Sequence, residues 1–260
     1  MDLQLSGKTA VVTGASKGIG LAITQALVKE HVRVAGGALQ PDASLVQLAP
    51  HVHPVAVDLS TPDGPVHLVD EAISAFGGLD IVVNNVGAAH PRPGGFLSVS
   101  DDEWLSTLTI NLLAAVRTTR AALPHLLDRG SGTIVTVCSV NAFLPDPLVV
   151  DYCAAKAALA NFSKALSKEV GPRGVRVNTV SPGPVATALW LGADGVAATI
   201  ARARGAAAEA VATHAAAQSV TGRFTQPQEV ADLVLLLASG RAGNVTGADF
   251  VIDGGLVTTL

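Results

Sequence analysis

Tyr152 and Lys156 stand four residues apart where a long helical pattern begins, so both side chains share one helix face. A free phenol titrates at roughly pH 10, but a fixed cation beside it favours the phenolate and lowers that pKa. Such a pair can act as a general acid and base. A surface helix with an unrelated tyrosine and lysine would show the same spacing, so the remaining motifs must decide between the two interpretations.

A glycine-rich turn near the start of the chain is the second chemically suggestive feature. A β-branched run, 9–12, breaks into Gly14, Gly18 and Gly20, after which apolar residues continue with helical spacing. Glycines let the backbone approach a pyrophosphate closely, and a helix N-terminus offers unpaired N–H groups to phosphate oxygens. The spacing departs from the common G-x-G-x-x-G fingerprint, and glycines also mark ordinary strand-to-helix turns.

Strand and helix patterns alternate along the whole chain. Predicted strands cover 9–12, 32–36, 52–57, 79–83, 132–137, 175–180 and 250–252. Helical patterns follow Gly20 and cover 61–76, 100–126, 152–170 and 227–238. The alternation predicts an α/β fold with one domain, 1–260, built on a Rossmann-type doubly wound parallel sheet of about seven strands with helices on both faces. The alanine-rich stretch 188–219 is predicted to be an inserted, mobile helical lid.

Polar residues follow several of the predicted strands. Asp58, Asn85 and Ser139 stand at strand ends, as do Pro182 and Gly183. Open parallel sheets bind ligands in the crevice outside the carboxyl ends of their strands, so we expect these residues and the glycine turn to converge on one site. Taken singly, each has an ordinary structural explanation: a helix cap for Asp58, a turn for Ser139, a loop for the other pair.

Composition narrows the function classes. The 260 residues are 49% apolar and carry a formal charge of −4 without blocks of one sign, which disfavours a nucleic-acid partner. The sequence shows no signal-peptide pattern and no apolar run of membrane-spanning length, so we expect neither secretion nor a membrane partner. Cys138 and Cys153 form no metal-ligand motif, which suits a reduced, cytoplasmic protein without a metal site. A disulfide between them stays open.

Together these features resemble the short-chain dehydrogenase/reductase family over nearly the whole chain. The motifs that carry the resemblance are TGASKGIG at 13–20, Asp58, NNVG at 84–87, Asn111, Ser139, YCAAK at 152–156, PGPVAT at 182–187 and VIDGG at 251–255. They occur in the order and at the spacing of that family. Two departures are Val86, where alanine is more usual, and His31, where a glycine usually precedes the second strand.

The resemblance implies four catalytic residues for reduction of a carbonyl, or for the reverse oxidation of an alcohol. Tyr152 would donate the proton while the nicotinamide delivers hydride, and Ser139 would hydrogen-bond the carbonyl oxygen. Lys156 would hold the nicotinamide ribose and lower the pKa of Tyr152, and Asn111 would kink its helix and hold a water that links Lys156 to solvent. The implied cofactor contacts are Gly14, Ser16, Lys17, Gly18, Ile19, Gly20, Asp58, Leu59, Asn85, Gly87, Tyr152, Lys156, Pro182, Gly183, Val185 and Thr187.

The resemblance therefore implies an NAD(P)-dependent oxidoreductase acting on an alcohol/carbonyl pair: a ketone reductase, a secondary-alcohol dehydrogenase or an enzyme like a 3-oxoacyl-thioester reductase. A non-catalytic dinucleotide-binding sensor or scaffold is the alternative, and the presence of all four catalytic residues favours the enzyme. In this family the helices corresponding to 111–127 and 152–170 pack against symmetry mates, which implies a homotetramer or at least a dimer. The expected pocket wall, at 90–93, 142–144 and 189–191, indicates a mainly apolar substrate, with Arg92 as a candidate for an anionic group.

The end of the second predicted strand bears on the choice of dinucleotide. NAD sites usually place a carboxylate there for the ribose 2′-hydroxyl. This chain instead has Ala38, Leu39 and Gln40, and Asp42 lies further on. The missing carboxylate removes a repulsion of the NADP 2′-phosphate, and Lys17 adds an attraction. We therefore expect NADP to be preferred over NAD.

Overall fold

The computed structural model describes residues 1–259. Within that range the strands number seven, and all of them lie in one sheet. They are β1 (Thr9–Thr13), β2 (Arg33–Ala38), β3 (Val52–Ala56), β4 (Ile81–Asn84), β5 (Gly132–Val137), β6 (Val175–Pro182) and β7 (Asp249–Ile252). The sheet order is β3-β2-β1-β4-β5-β6-β7, and every neighbouring pair runs parallel. The predicted doubly wound fold is confirmed.

Helices connect the strands and cover both faces of the sheet. They are α1 (Gly18–Lys29), α2 (Ala43–Val46), α3 (Gly64–Phe76), α4 (Asp101–Leu108), α5 (Ala114–Asp128), α6 (Val150–Val170), α7 (Ala188–Leu191), α8 (Val196–Arg204), α9 (Ala208–Ala217) and α10 (Pro227–Ala238). A π-helical turn (Thr109–Leu113) joins α4 to α5. Among the helices of residues 1–259, none combines the length and the apolar character needed to cross a bilayer.

Two apolar layers hold the sheet between its helices. Successive residues of a strand point to opposite faces. Accordingly, Val11 belongs to a buried cluster with side chains of α3, α5 and α6, whereas Val12 belongs to a cluster with α1 and α10. The same split separates Val82 from Val83. These strands are buried on both faces, which explains their nearly continuous apolar sequences.

Two helix starts show where local sequence patterns succeed and fail. Helix α4 begins as predicted, because Ser100 and Glu103 form a reciprocal capping box. Helix α3 begins at Gly64, three residues after the start of the predicted helical pattern at 61. The Thr61 hydroxyl donates to the Asp58 carbonyl oxygen (2.8 Å) and accepts from the Gly64 N–H (3.0 Å). This pair of bonds keeps the intervening residues in a turn ahead of the helix.

His31 occupies the turn before β2 in a left-handed conformation, with a φ of 60°. Glycine adopts this conformation without strain, whereas a residue with a Cβ does so at a cost. His31 therefore adopts the left-handed conformation that a glycine at this position would favour.

Candidate active site

The carboxyl ends of the central strands open onto a cavity of about 390 Å³. Residues from six separate parts of the sequence meet around it. The predicted site residues that line it are Ile19, Asn85, Gly87, Ser139, Tyr152, Lys156, Pro182, Gly183, Val185 and Thr187. The strand ends thus bring the side chains for acid–base chemistry and the segments after β4 and β6 to one place.

Several predicted cofactor residues lie outside the cavity wall. Asp58 is exposed beyond the end of β3, where its carboxylate accepts from the Ser60 hydroxyl (2.7 Å) and N–H (2.8 Å). These bonds hold the pKa of Asp58 below its ordinary value. Leu59 is buried in the apolar cluster beside α3, and Ser16 and Lys17 precede α1, with Lys17 exposed. Their contacts with a cofactor stay predictions.

The glycine turn has the shape that a phosphate group requires. Gly14 (φ 68°) and Gly18 (φ 56°) are left-handed, and a Cβ on Gly20 would collide with the Gly14 carbonyl oxygen. Helix α1 begins at Gly18 without a side-chain cap from Lys17 and without an acidic residue in its first turn. Its first N–H groups are therefore available to an anion. These residues fit the diphosphate of a dinucleotide.

Asn85 holds the glycine turn from the neighbouring strand. Its side-chain amide donates to the carbonyl oxygens of Thr13 (2.9 Å) and Gly14 (3.2 Å), and its N–H donates to the Thr13 hydroxyl (2.8 Å). Val86 takes part through its backbone N–H, which donates to the same hydroxyl (3.0 Å). Asn85 therefore ties the ends of β1 and β4 together, and the valine at position 86 leaves this bonding intact.

Asn111 lies in the π-helical turn and is buried. Its side-chain amide donates to the carbonyl oxygens of Ala88 (2.8 Å) and Thr107 (3.0 Å), and its Oδ1 accepts from the Ala88 N–H (3.1 Å). The predicted distortion of this helix is confirmed. Asn111 clamps the loop after β4, while the water expected at this residue stays a prediction.

Gly87 separates Asn111 from Lys156. A Cβ on Gly87 would lie 2.7 Å from Asn111 Oδ1 and 3.6 Å from Lys156 Nζ. Both groups thus approach the same point of the backbone, which stays open because the residue is glycine. The NNVG motif marks Gly87 as a cofactor contact but does not show this spacing role, because the role depends on a helix that lies elsewhere in the sequence.

Lys156 lies behind the ring of Tyr152. Its ammonium group is 5.6 Å from the ring centroid and donates to the Val137 carbonyl oxygen (3.0 Å). The side chain is 3% exposed, and this burial lowers the pKa of Lys156. The predicted placement of both side chains on one helix face is confirmed.

The pKa of Tyr152 is shifted in the direction opposite to the one that the resemblance implied. Burial raises the pKa of its phenol, and the hydrogen bond with Ser139 opposes that rise only in part. Any lowering of this pKa by the nearby Lys156 ammonium group does not outweigh the effect of burial. Tyr152 is therefore a protonated phenol at neutral pH, which suits it to donate a proton.

Ser139 is positioned by Asn141, a residue that the sequence patterns did not indicate. The Ser139 hydroxyl accepts from the Asn141 N–H (3.1 Å) and lies 3.3 Å from Asn141 Oδ1. The Asn141 amide in turn donates to the Leu144 carbonyl oxygen (3.1 Å). A serine followed two residues later by asparagine is a recognisable turn signal that could have identified this contact.

Both cysteines are buried and free, so the open disulfide alternative is not formed. Cys138 Sγ donates to the Lys156 carbonyl oxygen (3.3 Å), and Cys153 Sγ accepts from the Asp146 N–H (3.3 Å). Burial raises the pKa of each thiol. In this buried environment both cysteines act as small packing residues, because a raised pKa keeps the thiols protonated and unreactive. Within residues 1–259, no three acidic, histidine or cysteine side chains cluster in a way that could hold a metal ion.

The outer wall of the cavity is apolar. It comes from the loop after β4, the segment before α6, helices α7 and α8 and the C-terminal stretch: Pro91, Leu144, Pro145, Leu148, Leu189, Trp190, Val196, Ile200 and Leu256. The stretch predicted as a lid, 188–219, is helical as expected and supplies four of these side chains. Trp190 packs edge-on against Phe224, with 5.5 Å between ring centroids.

Arg92 does not line this wall, so the prediction that it receives an anionic substrate group is wrong. Its side chain is 12% exposed and forms ion pairs with Asp151 (2.6 Å) and Glu103 (2.5 Å). Two carboxylates of the protein already occupy the guanidinium group. The sequence did not show this pairing because the three residues come from different segments.

Comparisons with known proteins agree with this geometry. Residues 14–257 match the family model described as enoyl-(acyl carrier protein) reductase. The D-threitol dehydrogenase of Mycolicibacterium smegmatis is 38% identical over 98% of this chain and 94% of its own length. A 3-alpha-(or 20-beta)-hydroxysteroid dehydrogenase of Mycobacterium bovis is 31% identical over 100% of this chain and 93% of its own. The crystal structure of L-sorbose reductase from Gluconobacter frateurii, complexed with NADPH and L-sorbose, matches with a TM-score of 0.91 and 34% identity, covering 100% of both chains.

Proposed function

The chain belongs to the short-chain dehydrogenase/reductase family and is an NAD(P)-dependent oxidoreductase, and from this premise we propose that it interconverts ketones that carry an apolar body and the corresponding secondary alcohols. The observation that carries the proposal is the cavity itself. Ser139, Tyr152 and Lys156 line one side of this cavity, and apolar side chains line the other side.

In the proposed mechanism the residues of this chain handle the proton and the developing charge. The nicotinamide ring supplies the hydride when the cofactor is bound. Tyr152 donates its phenolic proton to the carbonyl oxygen, and Ser139 hydrogen-bonds the same oxygen as negative charge develops. Lys156, behind the ring, stabilises the phenolate that remains. In the oxidation direction the Tyr152 phenolate accepts the proton from the alcohol.

The proposed cofactor site runs along the carboxyl edge of the sheet. The glycine turn and the N-terminus of α1 would hold the diphosphate, Asp58 and Leu59 the adenine end, and the segment 182–187 the nicotinamide end. A preference for NADP is supported by the end of β2, where Ala38 is buried. The nearest carboxylate in sequence, Asp42, already accepts from the Leu45 N–H (3.1 Å) as the cap of α2.

The apolar substrate class is supported by two polar side chains of the wall that already bond within the protein. Asn141 bonds to Ser139 and Leu144, and Asp146 Oδ1 accepts from the Leu148 N–H (2.9 Å). A polyhydroxylated ketose would therefore meet few free partners beyond Ser139 and Tyr152, and its desolvated hydroxyls would stay unpaired. The sugar substrates in the names of two relatives belong to those proteins.

An activity panel tests the proposed function. NADPH oxidation would be followed by absorbance with a steroid ketone, an aryl ketone, a 3-oxoacyl thioester and L-sorbose. We expect the steroid or aryl ketone to exceed L-sorbose in kcat/KM by at least about tenfold, or about 1.4 kcal/mol of transition-state stabilisation. A preference for L-sorbose would overturn the substrate class, and NADPH binding without turnover of any carbonyl would favour the sensor alternative.

We propose a homotetramer as the assembly. Support comes from large apolar side chains that stay exposed near α4 and the π-helical turn: Phe96, Leu97, Leu105 and Leu113. Exposed apolar groups of this kind mark association surfaces. Light scattering that finds only a monomer at micromolar concentration would remove the proposal.

A cytoplasmic location is also proposed, because two free thiols suit a reducing compartment.

We propose that 188–219 closes over the substrate. Leu189 and Trp190 supply apolar surface, and Gly205 ends α8 in a left-handed conformation (φ 65°) where a hinge is feasible. Hydrogen exchange in the free protein should be faster here than in the sheet. Uniformly strong protection of the segment would contradict the proposal.

A further inference from the structure

Asp151, directly before Tyr152, is the junction of a buried polar cluster outside the cavity. Its side chain is 1% exposed. Its Oδ2 accepts from Arg92 Nη2 (2.6 Å), Arg92 Nε (3.2 Å) and the Thr107 hydroxyl (2.8 Å). Its Oδ1 is buried without a hydrogen-bond partner among residues 1–259. A buried carboxylate of this kind is costly to desolvate, and it is held only where its partners are fixed.

Arg92 joins this carboxylate to the cavity wall. Its Nη1 donates to Glu103 on α4 (2.5 Å), and its backbone N–H donates to the Leu148 carbonyl oxygen (2.6 Å). Leu148 and Pro91, the residue before Arg92, both line the cavity. The bonds of Arg92 therefore connect the loop after β4, helix α4 and the segment that precedes the Tyr152 helix.

Thr107 extends the cluster to the π-helical turn. Its hydroxyl donates to Asp151, and its carbonyl oxygen accepts from the Asn111 side chain (3.0 Å). Asn111 in turn bonds to both the N–H and the carbonyl oxygen of Ala88. Hydrogen bonds thus connect Asp151, which precedes Tyr152, through Thr107 to Asn111, which holds the backbone beside Lys156.

The electrostatics show that Asp151 is ionised in this setting. Burial on its own would raise the pKa of Asp151, but the hydrogen bonds from Arg92 and Thr107 and the charge of Arg92 outweigh it and leave the pKa below its ordinary value. The same pairing raises the pKa of Arg92. Both partners therefore stay charged throughout the neutral range.

We infer that Arg92 and Asp151 form a positioning pair, which sets the start of the Tyr152 helix against the loop that Asn111 clamps. The inference rests on the proposed function, because it assigns the pair to the reaction of Tyr152. Neither residue touches the reacting atoms. The pair acts on the rate of the chemical step through the placement of Tyr152, and it leaves the distant diphosphate site unaffected.

Two variants and a matched control test the inference. Asp151→Asn removes the charge and keeps the shape, and Thr107→Val removes one hydrogen bond from the same carboxylate. The control is Asp80→Asn, because Asp80 is also a buried carboxylate paired with an arginine, Arg129 (3.1 Å), at the opposite edge of the sheet. Thr107→Val carries the test if Asp151→Asn does not fold.

The readouts separate positioning from stability. Steady-state kinetics give kcat and KM, titration gives NADPH affinity, and thermal unfolding gives Tm. Tyr152 is the only tyrosine of the chain, so ¹³Cζ-tyrosine labelling yields one NMR signal that reports its environment without any turnover. This signal keeps a failed inference distinguishable from a failed proposed function, since it needs neither substrate nor activity.

For Asp151→Asn we expect kcat to fall at least about tenfold while NADPH affinity changes by less than about threefold, together with a displaced Tyr152 signal. Thr107→Val should change both in the same direction by less. Asp80→Asn should lower Tm without moving the signal or kcat. The inference is overturned if the Tyr152 signal is unmoved in both cluster variants, or if Asp80→Asn lowers kcat as much as Asp151→Asn at equal loss of Tm.

Discussion

The two edges of the parallel sheet enclose cavities of nearly the same volume, about 390 Å³ at the carboxyl edge and about 400 Å³ at the amino edge. Their polar groups differ in what they bond. At the amino edge Asp80 accepts from the Thr9 N–H (2.9 Å) and pairs with Lys8 and Arg129. Arg176 donates there to a threonine hydroxyl (2.8 Å) and a backbone carbonyl (3.0 Å). Asp80 and Arg176 thus bond within the protein at this edge.

At the carboxyl edge some polar groups have hydrogen-bond donors that the protein does not use. Lys156 has three N–H donors and bonds to one carbonyl, and Tyr152 presents a protonated phenol to the cavity. Cavity volume alone therefore does not identify a ligand-binding site. Unused donors and acceptors on a wall do, because they are the groups that a ligand can satisfy.

The largest expected effect comes from Tyr152→Phe, which removes the proton donor at the carboxyl edge. Turnover should fall by about 10²- to 10⁴-fold, because one general acid is lost. NADPH affinity and Tm should stay near native, because the ring and its packing are kept. Kinetics, NADPH titration and thermal unfolding on one preparation check this. Near-native turnover would show that the reaction does not use this phenol.

A glycine-to-alanine substitution at each edge tests whether the two edges serve activity and stability separately. Gly87→Ala places a Cβ 2.7 Å from Asn111 Oδ1, so kcat should fall by roughly 10- to 100-fold as Asn111 is displaced. Gly174→Ala, at the amino edge, forces a Cβ onto a φ of 83° and into the Gly130 carbonyl oxygen. It should lower the unfolding free energy by about 1–3 kcal/mol and leave kcat per folded molecule unchanged.

Denaturant titration and kcat measured on both glycine variants provide the check. If Gly174→Ala lost as much kcat as Gly87→Ala at equal stability, the division of roles between the two edges would be refuted.

The pH dependence of the reaction rates tests the protonation of Tyr152 at the carboxyl edge. Burial raises the pKa of Tyr152, so the phenol stays protonated at neutral pH and the phenolate is scarce. Alcohol oxidation needs the phenolate, so its rate should rise by about tenfold per pH unit as pH approaches that pKa from below. Ketone reduction needs the phenol and should stay flat over the same range. An oxidation rate that is flat above about pH 7 would show that the pKa of the enzyme–cofactor complex lies lower.

The smallest expected effect is on cofactor choice. Ala38→Asp places a carboxylate at the end of β2, where it repels a 2′-phosphate and can bond to a 2′-hydroxyl. The ratio of kcat/KM for NADPH over NADH should fall by about tenfold, while activity with NADH is retained. Ala38→Asn serves as the uncharged control. A native enzyme that works better with NADH would contradict the proposed preference.

Much of the fold follows from local sequence. Alternating apolar strands and helices predict the doubly wound sheet, and residues after strands, such as Asn85 and Ser139, predict where the site lies. The family resemblance also implied a kink at Asn111, a residue type that is unfavourable in a helix interior, and the structure shows a π-helical turn there.

The parts that sequence did not predict depend on pairings between distant segments. Arg92 and Asp151 are 59 positions apart, and their ion pair removes Arg92 from the cavity. The pKa of Tyr152 depends on how deeply the phenol is buried, which residue spacing along a helix does not show. Periodicity gives the face that a residue occupies and does not give the partner that it meets there.

The strand order has a consequence for how the protein is made. β1 pairs on one side with β2 and on the other with β4, so this strand is synthesised about 70 residues before its second neighbour. At the other end of the chain, β7 pairs only with β6 in the described sheet, and Leu256, which follows it, lines the cavity. The cavity therefore cannot be complete until Leu256 has been synthesised. Until α10 has been synthesised, the apolar layer that packs against α1 and α10 is only partly covered, and exposed apolar surface of this kind makes incomplete chains prone to aggregation.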